Sequence, residues 1–258
     1  FDIHTGGVDN MFPHHEDEIA QSEAANGTAF VNYWLHCEHL TVNNTKMSKS
    51  LGNFFTLRDL LDRGFSGRTV RWLLMGTHYR QKLNFAYTPA PTETGDASFD
   101  GLEKAQQALK RIDEFVARLN DDDAHAADAP ADDGQQFAEQ ALTDFRTALE
   151  DDLNIASALA ALFELVRAAN RAMDHDRLSQ TGQRCILDAL RKMDAVLGVI
   201  DVDEPTGGVP AEIVALAEER REARAAKDYQ RSDELRDRLS ELGWSIKDGP
   251  DGYRLSRC

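Results

Sequence analysis

With 258 residues, 41% of them hydrophobic, the chain can fill two or three modest domains with real cores, which excludes wholesale disorder. Lys plus Arg total 29 against 45 Asp plus Glu, a formal net charge of −16 that excludes a generally basic nucleic-acid binder but leaves room for a local basic site. Cys37, Cys185 and Cys258 lie far apart with no CxxC pair, no apolar run reaches membrane-spanning length and no signal peptide is visible. A reducing, cytoplasmic setting away from membranes is therefore expected.

In chain order, Phe1 to His4 reads as a strand followed by a Gly-rich turn at Thr5-Gly6-Gly7. An opening without Met, in what looks like mid-strand, suggests a piece of a longer protein. His14 to Ala25 reads as a helix closed by Asn26-Gly27, with Pro13 at its tolerated first position. Tyr33 to Val42 should be extended and Asn43 to Ser50 a polar loop. Thr56 can cap a short helix from Leu57 to Arg63 that Gly64 ends, and Thr69 to Met75 reads as helix with Arg68 and Arg71 on its polar side. A Pro-containing linker, Thr88 to Gly95, precedes four amphipathic stripes. These are Leu102 to Leu119, Phe137 to Leu149, Leu159 to Val166, and Ile186 to Leu197 with Gly198 at its end. Four such stripes predict an antiparallel bundle, interrupted by an acidic loop from Asp121 to Gly134. After a second linker, Asp201 to Pro210, two charged helices (Glu212 to Ala226, Tyr229 to Leu242) and a hairpin from Trp244 to Ser256 close the chain.

Two motifs carry chemistry. Lys46-Met47-Ser48-Lys49-Ser50 sets two lysines three apart on a polar loop beside small hydroxyls and Gly52, a pattern that can wrap a polyphosphate. The plainer alternative is a solvated basic loop. In Gly6-Gly7-Val8-Asp9, the Gly pair lets a ligand approach the backbone, and Asp9 could hold ribose hydroxyls. His14 and Glu18, four apart, share a helix face and supply half of a tetrahedral zinc site. On spacing alone, an acidic helix start favoured by the macrodipole explains them better. Cys37 reads as an ordinary buried thiol and Trp244 as core. His36, His39, His78, His125 and His175 carry no assigned role.

These motifs, in this order and about thirty residues apart, resemble the second half of the catalytic domain of class I cysteinyl-tRNA synthetases. The likeness continues through Ile19 to Glu23, Val31 to His36, Ser50 to Thr56, His78 to Arg80, Leu83 to Phe85 and Glu150 to Asn154. It resumes in the tail at Ala223 to Tyr229 and Asp233 to Asp237. Thr5, Val8 and Ile155-Ala156 depart from the usual pattern but leave the implied ligands in place.

The resemblance implies an α/β remnant of a Rossmann-type class I catalytic domain, then a mostly α-helical bundle and a small mixed α/β C-terminal domain. The implied segments are residues 1–55 for the catalytic portion with its loop, 56–95 for a stem-contact region and linker, 96–200 for the bundle and 201–258 for anticodon binding. It implies ATP-dependent ligation of L-cysteine to its tRNA through cysteinyl-adenylate. Zinc would bind the substrate thiolate, magnesium would accompany ATP, and the enzyme would be a monomer. His4, Gly6, Gly7 and Asp9 match the adenylate-binding wall. Lys46 and Lys49 match the catalytic loop, Lys49 also touching ATP. His14 and Glu18 match two zinc ligands, the other two being cysteines upstream of Phe1. Arg224, Asp233 and Asp248 match the anticodon contacts. The alternatives are a cysteine-activating ligase with a small amino-sugar acceptor, or a tRNA-binding piece without catalysis, the isolated chain being expected to be inactive.

Overall fold

The computed structural model describes residues 1–89, 98–120, 133–202, 211–226, 228–249 and 252–257. The chain divides into two compact units, Phe1–Val202 and Asp203–Cys258.

The first unit opens with a βαβ arrangement. β1 (Ile3–Gly7) and β2 (Tyr33–Cys37) are parallel, in register from Ile3 opposite Tyr33 to Gly7 opposite Cys37, and α1 (Glu16–Asn26) makes the crossover that parallel strands require. Glu16, Asp17 and Glu18 sit in the first turn of α1, where carboxylates complement the helix dipole. Gly27, at φ 69°, ends it and donates its N–H to Glu23 O. The expected Gly-rich turn at residues 5–7 is instead strand, because Gly6 and Gly7 still pair with His36 and Cys37. Turning is delayed to a 3-10 turn over Val8–Asn10 and a wide turn over Met11–His15. Within the wide turn Phe12 is extended and the Phe12–Pro13 peptide is cis; α1 begins at Glu16, so Pro13 precedes the helix rather than starting it.

A second sheet has β3 (Leu40–Val42) at its centre, antiparallel to β4 (Thr45–Lys46) and parallel to β5 (Leu83–Phe85). The expected loop from Asn43 thus begins as a tight hairpin. Asn43 and Asn44 both have positive φ, 49° and 59°, the geometry of a two-residue hairpin turn that Asn tolerates. α2 (Leu57–Leu61) starts with a full capping box between Thr56 and Asp59. α3 (Gly67–Met75) is capped by Ser66 and buries Thr69, Val70 and Trp72.

Four helices build the main core: α4 (Asp100–Leu119), α5 (Gly134–Glu150), α6 (Ile155–Asp174) and α7 (Gln180–Leu197). Ile112 on α4, Phe145 on α5, Leu162 on α6 and Leu190 on α7 represent their buried stripes, all in one cluster. Truncating one of these leucines to Ala would cost about 2–5 kcal/mol. Arg68 and Arg71, on the polar side of α3, reach the end of α7. Arg68 donates to Val199 O at 2.8 Å and pairs with Asp113 at 2.7 Å, while Arg71 donates to Leu197 O. Unsatisfied carbonyls at a helix C-terminus attract cations.

In the second unit, α8 (Ala211–Ala225) and α9 (Tyr229–Glu241) precede a hairpin of β6 (Trp244–Gly249) and β7 (Gly252–Arg257). Ile213, Ala217, Leu239 and Trp244 form its core, and Asp228 caps α9 by accepting from Arg231 N–H. Among the described residues, no helix is long and apolar enough to cross a membrane.

Candidate functional site

The carboxyl end of β1 and the start of α1 bring a cluster of rings together. His15, 7% exposed, bonds through Nδ1 to His36 Nε2 at 2.8 Å. Its ring centroid lies 4.7 Å from His4 and 5.0 Å from Trp34. His4 Nε2 meets Glu18 Oε2 at 2.6 Å. Gly6 and Gly7 are required by closeness. A Cβ on Gly6 would stand 2.6 Å from His15 Cε1, and one on Gly7 would stand 2.4 Å from Asp9 Oδ1. Asp9 is exposed in the 3-10 turn. Burial, then the neighbouring His15 and His4, push the His36 imidazole below its ordinary pKa, favouring a neutral ring, so that one proton lies in the hydrogen bond between His15 and His36.

His4, His15 and Glu18 can each offer one ligand atom, all within 4.8 Å of one another. Imidazole nitrogens with a carboxylate oxygen are a donor set that suits zinc. The structure therefore brings Glu18 together with His4 and His15. His14 is exposed, in the wide turn before α1, and is not part of this group. Neither His15 nor His36 is singled out by spacing in the sequence. Cys37 is only half-buried at the end of β2, not enclosed.

The lysine loop follows β4. Lys46 is exposed and paired in register with Thr41, and Lys49 opens a 3-10 turn after Ser48. Asn53 closes this loop like a brace. Its Oδ1 accepts from Ser48 N–H at 2.8 Å, and its Nδ2 donates to Lys46 O at 3.1 Å. Lys49 Nζ lies 5.6 Å from the Phe54 ring centroid, a cation–π contact at an exposed site. The imidazole cluster and the lysine loop stand on different sheets, linked through the short step from β2 to β3.

In the second unit, Arg224 is exposed near the end of α8. Asp233 is on α9 and pairs with Arg236 at 3.2 Å. Asp248 is on β6 opposite Tyr253 in register, and its side chain lies outside the described residues.

Three family models match in succession. Residues 1–91 match the tRNA synthetases class I (C) catalytic domain, residues 144–201 the DALR domain, and residues 206–254 the cysteinyl-tRNA ligase anticodon binding domain. A cysteine--tRNA ligase of Protochlamydia amoebophila is 44% identical over 256 residues, which is 99% of this chain and 50% of the relative. Those of Chlamydia caviae and Chlamydia trachomatis serovar A are also 44% identical, over 99% of this chain and 51% and 53% of their own lengths. The chain thus spans about half the length of the curated relatives it matches. Among solved structures, the agnB2 LeuRS of Agrobacterium radiobacter K84, in a ternary complex with tRNA and LeuAMS, aligns with a TM-score of 0.54. It covers 96% of this chain and 36% of that one at 14% identity, a likeness of fold alone.

Proposed function

The chain belongs to the cysteinyl-tRNA synthetase family, as a C-terminal portion of such a ligase, and from that premise we propose that the protein carrying it joins L-cysteine to its tRNA. The observation that carries this reading is the Gly6-Gly7 strand end with Asp9 just beyond it. Ligands of open α/β sheets bind outside the carboxyl ends of the strands, and here two glycines keep that edge low. A cysteine carboxylate oxygen attacks the α-phosphorus of ATP, the bond to pyrophosphate breaks, and cysteinyl-adenylate forms. A terminal ribose hydroxyl of tRNA then attacks the adenylate carbonyl and releases AMP. Neither step needs a protein nucleophile, so positioning and charge do the work. His4, Gly6, Gly7 and Asp9 would line the adenylate. Lys46 and Lys49 would neutralise the departing pyrophosphate, whose charge magnesium shares.

Zinc, when bound, would supply a Lewis acid that prefers the substrate sulfur over the oxygen of serine. Glu18 is common to the pair implied by the sequence and the trio gathered in the fold. It would hold the metal with an imidazole, from His14 or from His4 and His15.

Arg224, Asp233 and Asp248 would read anticodon base edges. Arg can pair bidentately with guanine, and a carboxylate accepts from base amino groups. The match of residues 206–254 to an anticodon-binding domain disfavours a small amino-sugar acceptor. The protein would act as a cytoplasmic monomer.

Lys49→Ala in the whole ligase tests the reading. Cysteine-dependent pyrophosphate exchange should fall about 10²–10³-fold while tRNA binding survives. An unchanged exchange rate would refute it.

A further inference from the structure

We propose that Asp152, in the turn between α5 and α6, is a positioning residue for the candidate site, because it grips Tyr79 and Arg80, which wall the pocket beside His36. The pocket, of about 270 Å³, is lined among others by Trp34, His36, Glu38, Tyr79 and Arg80. Trp34 and His36 belong to the imidazole cluster, so Tyr79 and Arg80 share a pocket with that cluster. Asp152 does not line the pocket and acts through these two residues.

The grip is dense. Tyr79 Oη donates to Asp152 Oδ1 at 2.5 Å. Arg80 donates to both carboxylate oxygens, from Nε at 2.6 Å and from Nη2 at 3.1 Å, a fork that fixes orientation as well as distance. His78 Nε2 bonds to the main-chain oxygen of Asp152 at 2.8 Å, and its Nδ1 accepts from Arg80 N–H at 3.2 Å. Those two contacts together select the tautomer with the proton on Nε2. Three consecutive residues therefore hold one aspartate. On its far side the same loop is fastened to the first sheet, since Glu38 N–H donates to Tyr79 O at 2.8 Å. Arg80 also lies over the Tyr79 ring, 4.9 Å from its centroid.

The backbone of the turn supports a dedicated role. Asp152 and Leu153 both have positive φ, 52° and 56°, a conformation that Asp tolerates and Leu seldom adopts. Such strain persists where surrounding structure demands it. Here the carboxylate meets the loop that carries Tyr79 and Arg80. The Arg80 and Tyr79 hydrogen bonds hold the Asp152 carboxyl down at about 2, so it is an anion throughout the neutral range.

Asp152→Asn and Asp152→Gly in the whole ligase test the proposal, since both residues accept the left-handed backbone. Hydrogen exchange of residues 33–38 and 78–81 reads the wall directly. Both segments should exchange faster in the Gly variant, and less so in the Asn variant, which keeps an acceptor for Tyr79. Cysteine-dependent pyrophosphate exchange should lose about ten- to hundredfold in kcat/KM, the scale of a small misplacement at a reacting centre. Faster exchange confined to residues 149–155, with 33–38 protected as in the parent, would overturn the proposal. So would kinetics equal to the parent in both variants. The kinetic arm rests on the ligase reading. A parent without pyrophosphate exchange would sink that reading, and the hydrogen-exchange arm would still decide the positioning role.

Discussion

A single methyl group at Gly6 probes the imidazole cluster most directly. Its Cβ would stand 2.6 Å from His15 Cε1, 3.0 Å from His15 Nε2 and 3.3 Å from Asn10 Nδ2. The ring cannot simply swing away. His15 is 7% exposed, bonded to His36 at 2.8 Å and packed against His4 and Trp34. Overpacking of this kind costs about 1–3 kcal/mol, and losing the His15–His36 bond adds about 0.5–1.5 kcal/mol. A central figure of about 3 kcal/mol corresponds to a Tm lower by about 6–12 °C for a unit of this size. Thermal unfolding of Gly6→Ala measures it, and the same change on a His15→Ala background supplies the control. With the imidazole gone the methyl has room, so the further loss should shrink below about 2 °C, a strong departure from additivity. A Tm for Gly6→Ala within about 2 °C of the parent, or equal losses on both backgrounds, would refute the packing argument.

The other expectations are read more simply. Asn53→Ala removes both braces of the lysine loop. At about 1 kcal/mol each, pyrophosphate exchange should drop about tenfold or more, with an unaltered rate counting against the brace. Glu18→Gln should lower bound zinc from stoichiometric to a small fraction by elemental analysis, and parallel His14→Ala, His4→Ala and His15→Ala variants identify the imidazole partner. Full zinc in Glu18→Gln would remove Glu18 as a ligand. The Asp152 carboxyl has a folded pKa of about 2 against an ordinary 3.8, so its contribution is complete above the ordinary value and is lost as pH falls through about 2. Asp152→Asn should therefore be less stable than the parent near neutrality, with the gap closing between about pH 4 and pH 2 in Tm measured against pH. A gap that stays constant across that range would contradict the pairing with Arg80.

The helices were legible because their signal is local. Leu109, Ile112, Phe115, Val116 and Leu119 recur at helical spacing, and all are buried. Thr56 and Gly198 announced their caps in the same way. What escaped depends on backbone geometry or distant partners. Gly6-Gly7 suggests a turn until parallel pairing with His36 and Cys37 holds it straight. Of the adjacent His14 and His15, the one that turns inward is set by the path through Phe12 and Pro13, which spacing does not encode. Arg68 and Arg71 find their carbonyls more than a hundred residues away. Glu150 to Asn154 carries the family likeness, but nothing in its sequence tells that Asn154 caps α6 while the strained pair before it serves another loop. Asn53 left a fainter signal, because an Asn after Gly52 is a residue type that commonly bonds to nearby backbone.

The tail raises the question of how a nearly balanced segment would read RNA, as proposed for it. Residues 206–254 hold nine Lys and Arg against eleven Asp and Glu, so base edges would have to add to whatever phosphate contacts those cations make. Asp233 already pairs with Arg236, but their side chains are 63% and 54% exposed. An ion pair that open contributes about 0–1 kcal/mol, and a well-placed base contact contributes about 1–3 kcal/mol. The exchange of Arg236 for a base amino group is therefore favourable on these magnitudes. Arg236, released, would keep its contact with Asp237 at 3.4 Å, so the exchange leaves no unpaired charge behind. A helix face that looks like an ordinary surface ion-pair row in the free chain is, on this arithmetic, compatible with base reading without any rearrangement of its backbone.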